Sequence, residues 1–496
     1  MPHMPGSHEY DHASLEGKIA ILQEWLHVGE NLAHAEGLSF PDDIEFELCE
    51  ENLMLSYAAM GTINRPFHWR WGKARDLMKM SHHYGLSGIY EIVLPTNPPY
   101  AFLGVDNNFI AQLLVILHVL AHCDFFSNNA RFQSGISPER AMQMFKAHQQ
   151  KVDEYIARKG IDKVEEFLSA VFALDRHGRR PYAFSRKSEK QREKEKQAIR
   201  KAQEEIEYAE LFPSTYHATD IHETKREPDE DICSVILAEN RHLEDWEAGL
   251  VNIGIEEAMF EQPLLETKIL NEGWASVWHK RLFTLLCERD YITSLDVIME
   301  YSKLDTAVVS DVGQQLNPYY FGYKIFKNIE ECYDNPGDDH WWAWHKPTDI
   351  GRISGLEKML FARACDHDAS FLRNYLTPKL AAELELFRYA LIGKNYVVTD
   401  VVRDEETFEH VRDALIQNLA MHSTPLIEVV DTTYEGNTLI LQHKFDGREL
   451  YLPFAKKTME HAWTLWSRNN VILFTTLENK KKKLMMTKSG FSIIDA

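Results

Sequence analysis

Apolar residues recur at helical spacing over most of the first 390 positions. Leu15, Ile19, Leu22, Trp25 and Leu26 predict a helix within residues 12–36. Phe40-Pro41-Asp42-Asp43 stops it, and Ile44 to Met60 reads as a second helix. Residues 85–104 break the pattern. Ile89, Ile92, Val93 and Leu94 favour β structure, and Pro95, Pro98 and Pro99 punctuate them, which predicts an edge strand. From about Asn108 to Phe126 the chain turns almost wholly apolar, the pattern of a buried helix. Amphipathic helix resumes over 138–176 and over 234–280, with a break at Gln262-Pro263. More helices follow over 281–304, 306–332 and on to about Leu391, interrupted by Asn317-Pro318-Tyr319-Tyr320-Phe321-Gly322.

Near Gly393 the period changes. Strands are predicted at Tyr396–Val402, Leu426–Thr432, Leu439–His443, Glu449–Leu452 and Val471–Thr476. Helices are predicted at Glu405–Leu419 and Lys456–Trp466, and a hairpin turn at Glu435-Gly436-Asn437. The expected organisation is therefore α+β. A mainly helical domain with a short edge strand spans 1–392, and a small α+β domain spans 393–496. Residues 186–210 alternate in charge sign and read as a solvated helix or excursion, extending to about 227. The aromatic and acidic loop near residue 340 is a candidate lid or ligand wall, and Lys480 to Lys483 read as a solvated basic loop.

Composition narrows the function. A net charge of -22 argues against a non-specific nucleic-acid binder. The six cysteines are scattered without a CxxC pair, as suits free thiols in a reducing compartment. The N-terminus has neither a basic region nor an apolar core of signal-peptide type. No apolar run is expected to reach the ~20 residues of a membrane span. The expected location is cytoplasmic, with docking at a membrane only through partners.

The strongest chemical signal is a pair of stretches. His118 and His122 lie four apart on one helical face, a spacing that lets two imidazoles share a metal ion. Glu272, on another predicted helix, is positioned to supply a carboxylate. Two histidines and a glutamate with an open fourth position form a recurrent catalytic zinc set. Candidate proton-transfer groups are Glu256, Glu257 and His279, with Glu91 and Asp124 as further options. His279 lies seven after Glu272, so it is a candidate fourth ligand, base or orienting partner. Asn129, Tyr100, Asn271 and His68 are candidates to orient ligands or touch substrate. A two-metal iron or manganese site using Glu256, Glu257, Glu272, His118, His122 and His279 stays open. It ranks below zinc because no Glu-x-x-His occurs in these two stretches.

Asn271-Glu272-Gly273-Trp274-Ala275 and the His118 helix resemble the two metal motifs of gluzincin metallopeptidases. The resemblance implies a zincin-like fold for the domain over 1–392, with Glu272 as the third ligand. It departs at Val119, where gluzincins carry the glutamate that activates water. Over most of its length the chain resembles the SpoVR-like family (stage V sporulation protein R). The matching runs are GLSFPDDIEFE (37–47), FHWRWGK (67–73), GIYEIVLPTNPPYAFL (88–103), HVLAHCDFFSNN (118–129), TKILNEGWASVWH (267–279) and NPYYFGYKIF (317–326). The runs SFLRNYLT (370–377) and HKFDGREL (443–450) extend it. That resemblance implies a cytosolic bacterial protein linked to spore-cortex formation or to stress and stationary phase. It implies operation beside a serine protein kinase and a von Willebrand A-like protein, and a peptidoglycan-related amidase role. The expected function is a zinc-dependent hydrolase of amide bonds in a peptide or peptidoglycan-like substrate. The rival is a non-catalytic, metal-stabilised scaffold that binds those two partners.

Overall fold

The structure is a computed structural model that describes residues 2, 4–5, 7–41, 43–61, 65–66, 68–83, 91–177, 231–311, 316–337, 347–392, 395–434 and 437–495. The predicted excursion 186–227, the loop near residue 340 and the Glu435-Gly436 turn lie outside the described residues.

The chain begins with α1 (Ser7–Asp11), α2 (Leu15–Ala35), β1 (Glu45–Cys49), α3 (Glu51–Met60) and α4 (Trp69–His83). Then come β2 (Glu91–Leu94), β3 (Tyr100–Gly104), α5 (Phe109–Asn128), α6 (Ala130–Gln133), α7 (Pro138–Lys159) and α8 (Ile161–Leu174). The middle holds α9 (Ile232–Glu239), α10 (Asp245–Glu266), α11 (Lys268–Glu288), α12 (Leu295–Val308) and α13 (Pro318–Asp334). It continues with α14 (Gly355–Cys365), α15 (Asp368–Tyr375), α16 (Pro378–Glu383), β4 (Phe387–Ile392), β5 (Asn395–Val401) and α17 (Glu405–Gln417). The last elements are β6 (Ile427–Tyr434), β7 (Thr438–His443), α18 (Leu452–Leu465), β8 (Val471–Leu477), β9 (Lys480–Thr487) and β10 (Gly490–Asp495). The fold is α+β with a mainly helical N-terminal region.

Two compact units divide the chain at other points than the expected 392/393. The first comprises residues 1–153 and 260–423, the second 154–259 and 424–496. Position 392/393 falls between β4 and β5, which pair as an antiparallel hairpin within the first unit. The strands β6 to β10 share the second unit with the segment 154–259.

In the first unit α5 is the central core element. Residues 109–126 are all buried, so the helix has no polar face. Asn108 caps it by accepting from the Ala111 N–H at 2.9 Å. By length and composition α5 also qualifies as a membrane span, which corrects the expectation that no run is long enough, and its whole apolar window is buried inside the protein. In the sheet, β3 is central. It runs parallel to β1 and antiparallel to β2, which leaves β2 at an edge, as its prolines predicted. The helix expected over Ile44–Met60 is instead β1 followed by α3. Phe46 and Leu48 alternate with Glu45 and Glu47, and that two-residue period wins where the β3 ladder is available.

The second unit holds a five-stranded sheet in the order β10-β9-β8-β7-β6. Lys480–Lys483 is not a loop but the first half of β9, paired with both β8 and β10. Its lysines carry flexible stems that tolerate an exposed strand surface. The strand expected at Glu449–Leu452 is also absent. Leu452 opens α18, with proline in its first turn, where a missing N–H costs nothing. All six cysteines are free thiols.

Candidate metal centre

His118 and His122 project from consecutive turns of α5, with ring centroids 4.6 Å apart. Glu272 reaches them from α11. Its Oε2 lies 3.4 Å from His118 Nε2 and 3.5 Å from His122 Nε2. Glu91, the first residue of the edge strand, brings Oε1 to 3.8 Å from His118 Nε2. Ligating atoms of Glu91, His118 and His122 lie within 4.8 Å of one another, close enough for one ion. Val119 is buried in the core and brings no polar group.

The outward-facing nitrogens are already taken. His122 Nδ1 bonds the Asn271 side-chain oxygen at 2.9 Å. A carbonyl oxygen only accepts, so the proton is on Nδ1 and a lone pair or an added proton is on Nε2. His118 Nδ1 meets His279 Nδ1 at 2.9 Å, and His279 Nε2 meets Asp305 Oδ1 at 2.9 Å. The Asp305 carboxylate, held below its ordinary range despite burial by His279 and Lys280, accepts from His279 Nε2–H. Burial keeps His279 neutral, so its Nδ1 accepts from His118 Nδ1–H. The His118 Nε2 lone pair is thereby fixed toward Glu272 and Glu91. Hydrogen-bonded outer nitrogens and converging inner ones are how proteins orient imidazoles on a metal.

The charges agree with a cation site. Burial drives His118 down to about 3, so its Nε2 is a bare donor near neutral pH. Burial opposes charge on His122 as well, but the Glu272 carboxylate outweighs it and the net shift is upward. Glu272 stays well below its ordinary value against burial, held by Lys268 and the histidines. Burial and the nearby Glu272 push Glu91 up to about 7. Two carboxylates and a bare imidazole nitrogen facing one point draw in positive charge; in the metal-free site Lys268 and protons held by His122 and Glu91 supply it, and a divalent ion would take the protons' place. The donor set therefore fits a divalent ion.

The scaffold explains the surrounding sequence. Asp368 accepts from the Ile269 and Leu270 N–H groups at 3.0 and 2.9 Å and so anchors the first turn of α11. The Trp274 indole N–H donates to Asp124 Oδ2 at 2.9 Å, tying the Glu272 motif to the histidine helix. Arg363 pairs with the same carboxylate at 3.0 Å. Gly273 and Gly322 let α11 and α13 cross backbone to backbone. A Cβ on Gly273 would sit 2.4 Å from the Gly322 carbonyl carbon.

The structure thus brings His118, His122, Glu272, Asn271 and His279 together, all within the first unit. It does so with a correction for His279. Both its nitrogens are engaged, and it orients His118 rather than Glu272. Asn129 caps α6 and donates to the Arg363 and Asp366 carbonyls at 2.6 and 3.0 Å, which is a structural joint. Asp124 is committed to Arg363 and Trp274. Tyr100 stacks on Phe102, and His68 accepts from the Arg70 N–H beside Trp69 and Trp71. Glu256 and Glu257 lie on α10 in the second unit.

Sequence reasoning missed Tyr319, Lys268 and Asp305. Tyr319 stacks on His118 with centroids 5.7 Å apart. Burial, Glu272 and Glu91 hold its phenol well above its ordinary value, so it stays protonated. Lys268 reaches Glu272 Oε1 at 2.5 Å while its side chain is 58% exposed, which marks where the cluster meets solvent. The i,i+4 spacing of Lys268 and Glu272 was the available signal.

A family model described as SpoVR like protein matches residues 16–424, which include every residue of this cluster. The chain belongs to the SpoVR-like family. A curated relative described as "Uncharacterized protein YcgB", from Escherichia coli (strain K12), is 27% identical over 448 residues. The match covers 86% of this chain and 86% of that protein. No solved structure matches. In this SpoVR-like chain the family match covers the histidine, glutamate and tyrosine positions and ends at the start of the last 72 or so residues.

Proposed function

We propose that this SpoVR-like protein is a metal-dependent hydrolase of amide bonds, with zinc as the ion and a peptide or peptidoglycan-like substrate. The observation that carries the reading is the convergence of His118 Nε2 and His122 Nε2 on one Glu272 oxygen at 3.4 and 3.5 Å. His118, His122 and Glu272 would hold the ion. A bound divalent ion supplies Lewis acidity toward a carbonyl and toward water. Glu91 fills the role that Val119 cannot. Its Oε1, 3.8 Å from His118 Nε2 at the edge of the cluster, is placed to take a proton from water and return it to the leaving amine. The protonated Tyr319 phenol is suited to donate to the oxygen on which charge develops. Operation beside a serine protein kinase and a von Willebrand A-like protein, in a bacterial stress or sporulation setting, belongs to the same proposal.

A second reading has its own observation. Glu91 stands close enough to be a fourth ligand, and four protein ligands would close the site as a structural centre for a scaffold. Glu91→Gln separates the two. The hydrolase reading expects retained metal and at least a hundredfold loss of peptide cleavage. Loss of the metal would instead favour the closed site, and unchanged cleavage would remove Glu91 as base.

A further inference from the structure

A cavity of about 390 Å³ lies in the first unit, and one of its lining residues, Phe126, stacks on His122. It is within the roughly 300–1,000 Å³ range of ligand pockets. The elements that build the cluster continue into its walls. Pro95 follows the strand that carries Glu91. Phe126 comes one helical turn after His122, and their rings stack at 6.0 Å and 10°. Pro263 accepts through its carbonyl from Thr267 Oγ1 at 2.7 Å, just ahead of the helix that carries Glu272. Phe132, Ile136 and Phe260 add to the apolar part of the wall, and Thr96, Ser127 and Gln133 to its uncharged polar part.

One charged group stands at the mouth. Glu139 is exposed, and its Oε1 accepts from the Asn97 side-chain amide at 3.0 Å. Its other oxygen accepts from the Ser137 hydroxyl. These neutral donors keep the carboxyl below its ordinary range and thus ionised. Among the described residues that line the cavity there is no lysine or arginine. A slot with apolar and uncharged polar walls and a carboxylate at its mouth matches one kind of side chain. Its aliphatic stem would lie along the apolar wall while a cationic tip stays near water. The overall charge of -22 disfavours an acidic alternative.

We propose that this cavity is a specificity pocket that takes a long aliphatic side chain with a cationic end, of the lysine type, from a peptide held across the metal centre. The assignment of that peptide as a substrate rests on the hydrolase reading. The binding of the side chain does not.

The test uses the full-length, zinc-loaded protein and three blocked pentapeptides, Ac-Ala-Ala-X-Ala-Ala-amide, with X as lysine, norleucine or glutamate. Isothermal titration should give the order lysine, norleucine, glutamate, with lysine about threefold tighter than norleucine, as befits a partly exposed charge pair. Glu139→Gln should erase the difference between lysine and norleucine. Ile136→Trp should fill the slot and weaken lysine and norleucine at least tenfold. Both variants should keep the metal content of the parent, which shows that they fold. Equal binding of the three peptides, or tight binding that survives Ile136→Trp, would overturn the proposal. Cleavage is followed separately by mass spectrometry. Peptides bound in the expected order but left intact would overturn the hydrolase reading while the pocket assignment stands.

Discussion

His118 and His279 meet through their Nδ1 atoms at 2.9 Å, and Asp305 holds the far side of His279 at 2.9 Å. This chain of three groups fixes which nitrogen of His118 faces Glu272. It also explains a buried histidine that has no free nitrogen to offer a substrate. His279→Ala and Asp305→Asn should each weaken metal binding by about 10–100-fold, as loss of an outer partner of a ligating imidazole typically does. Chelator competition measures this directly. Unchanged affinity in both variants would mean that the chain of hydrogen bonds does not orient His118.

Glu91 gives the site a pH dependence with a defined sign. In the metal-free protein its carboxyl titrates at about 7 rather than its ordinary 4.5. Below that value it holds a proton that an incoming cation must expel, so metal affinity should fall as pH drops from about 7 to about 5. Calorimetric titration in two buffers of different ionisation enthalpy should show about one proton fewer released in Glu91→Gln near pH 6. The raised pKa also sets the stability of the metal-free fold. Its contribution is full below 4.5 and is lost as pH rises through 7. Added metal should therefore raise Tm more at about pH 8 than at about pH 5.5. Equal proton release by parent and variant would remove Glu91 from the site.

The crossing of α11 and α13 depends on two glycines. A Cβ on Gly322 would sit 2.2 Å from the Ile269 carbonyl oxygen, and one on Gly273 would strike Gly322 backbone. Neither neighbour is a side chain that can swing away. Gly273→Ala and Gly322→Ala should each destabilise the protein by about 1–3 kcal/mol or more. Because α11 carries Glu272, they should also lower metal affinity. Thermal unfolding with and without added zinc checks both effects, and a parental Tm would contradict the close crossing.

Some of this was legible in the chain and some was not, for physical reasons. His118 and His122 announce themselves because helical spacing alone places them on one face. Glu272 and Asn271 stand out through the motif that follows them. Asp305 and Tyr319 lie on α12 and α13, and only the packing of those helices on α5 and α11 brings them to the site. The β1 strand was hidden because Phe46 and Leu48 give just two apolar alternations, and β9 because four lysines mask a strand that the flanking ladders impose. The domain division was not visible either. Residues 154–259 join strands that begin at Ile427, beyond a long stretch assigned to the other unit, and no local pattern records that pairing.

The most direct measurement is the metal content of the purified protein, by elemental analysis, beside His118→Ala and Glu272→Ala. About one zinc per chain, lost in both variants while each still unfolds cooperatively, is the expected result. Two irons or two manganese ions per chain would move the assignment to a carboxylate-bridged centre. Absence of metal after gentle purification and zinc reconstitution, or metal retained in full by both variants, would contradict the metal centre.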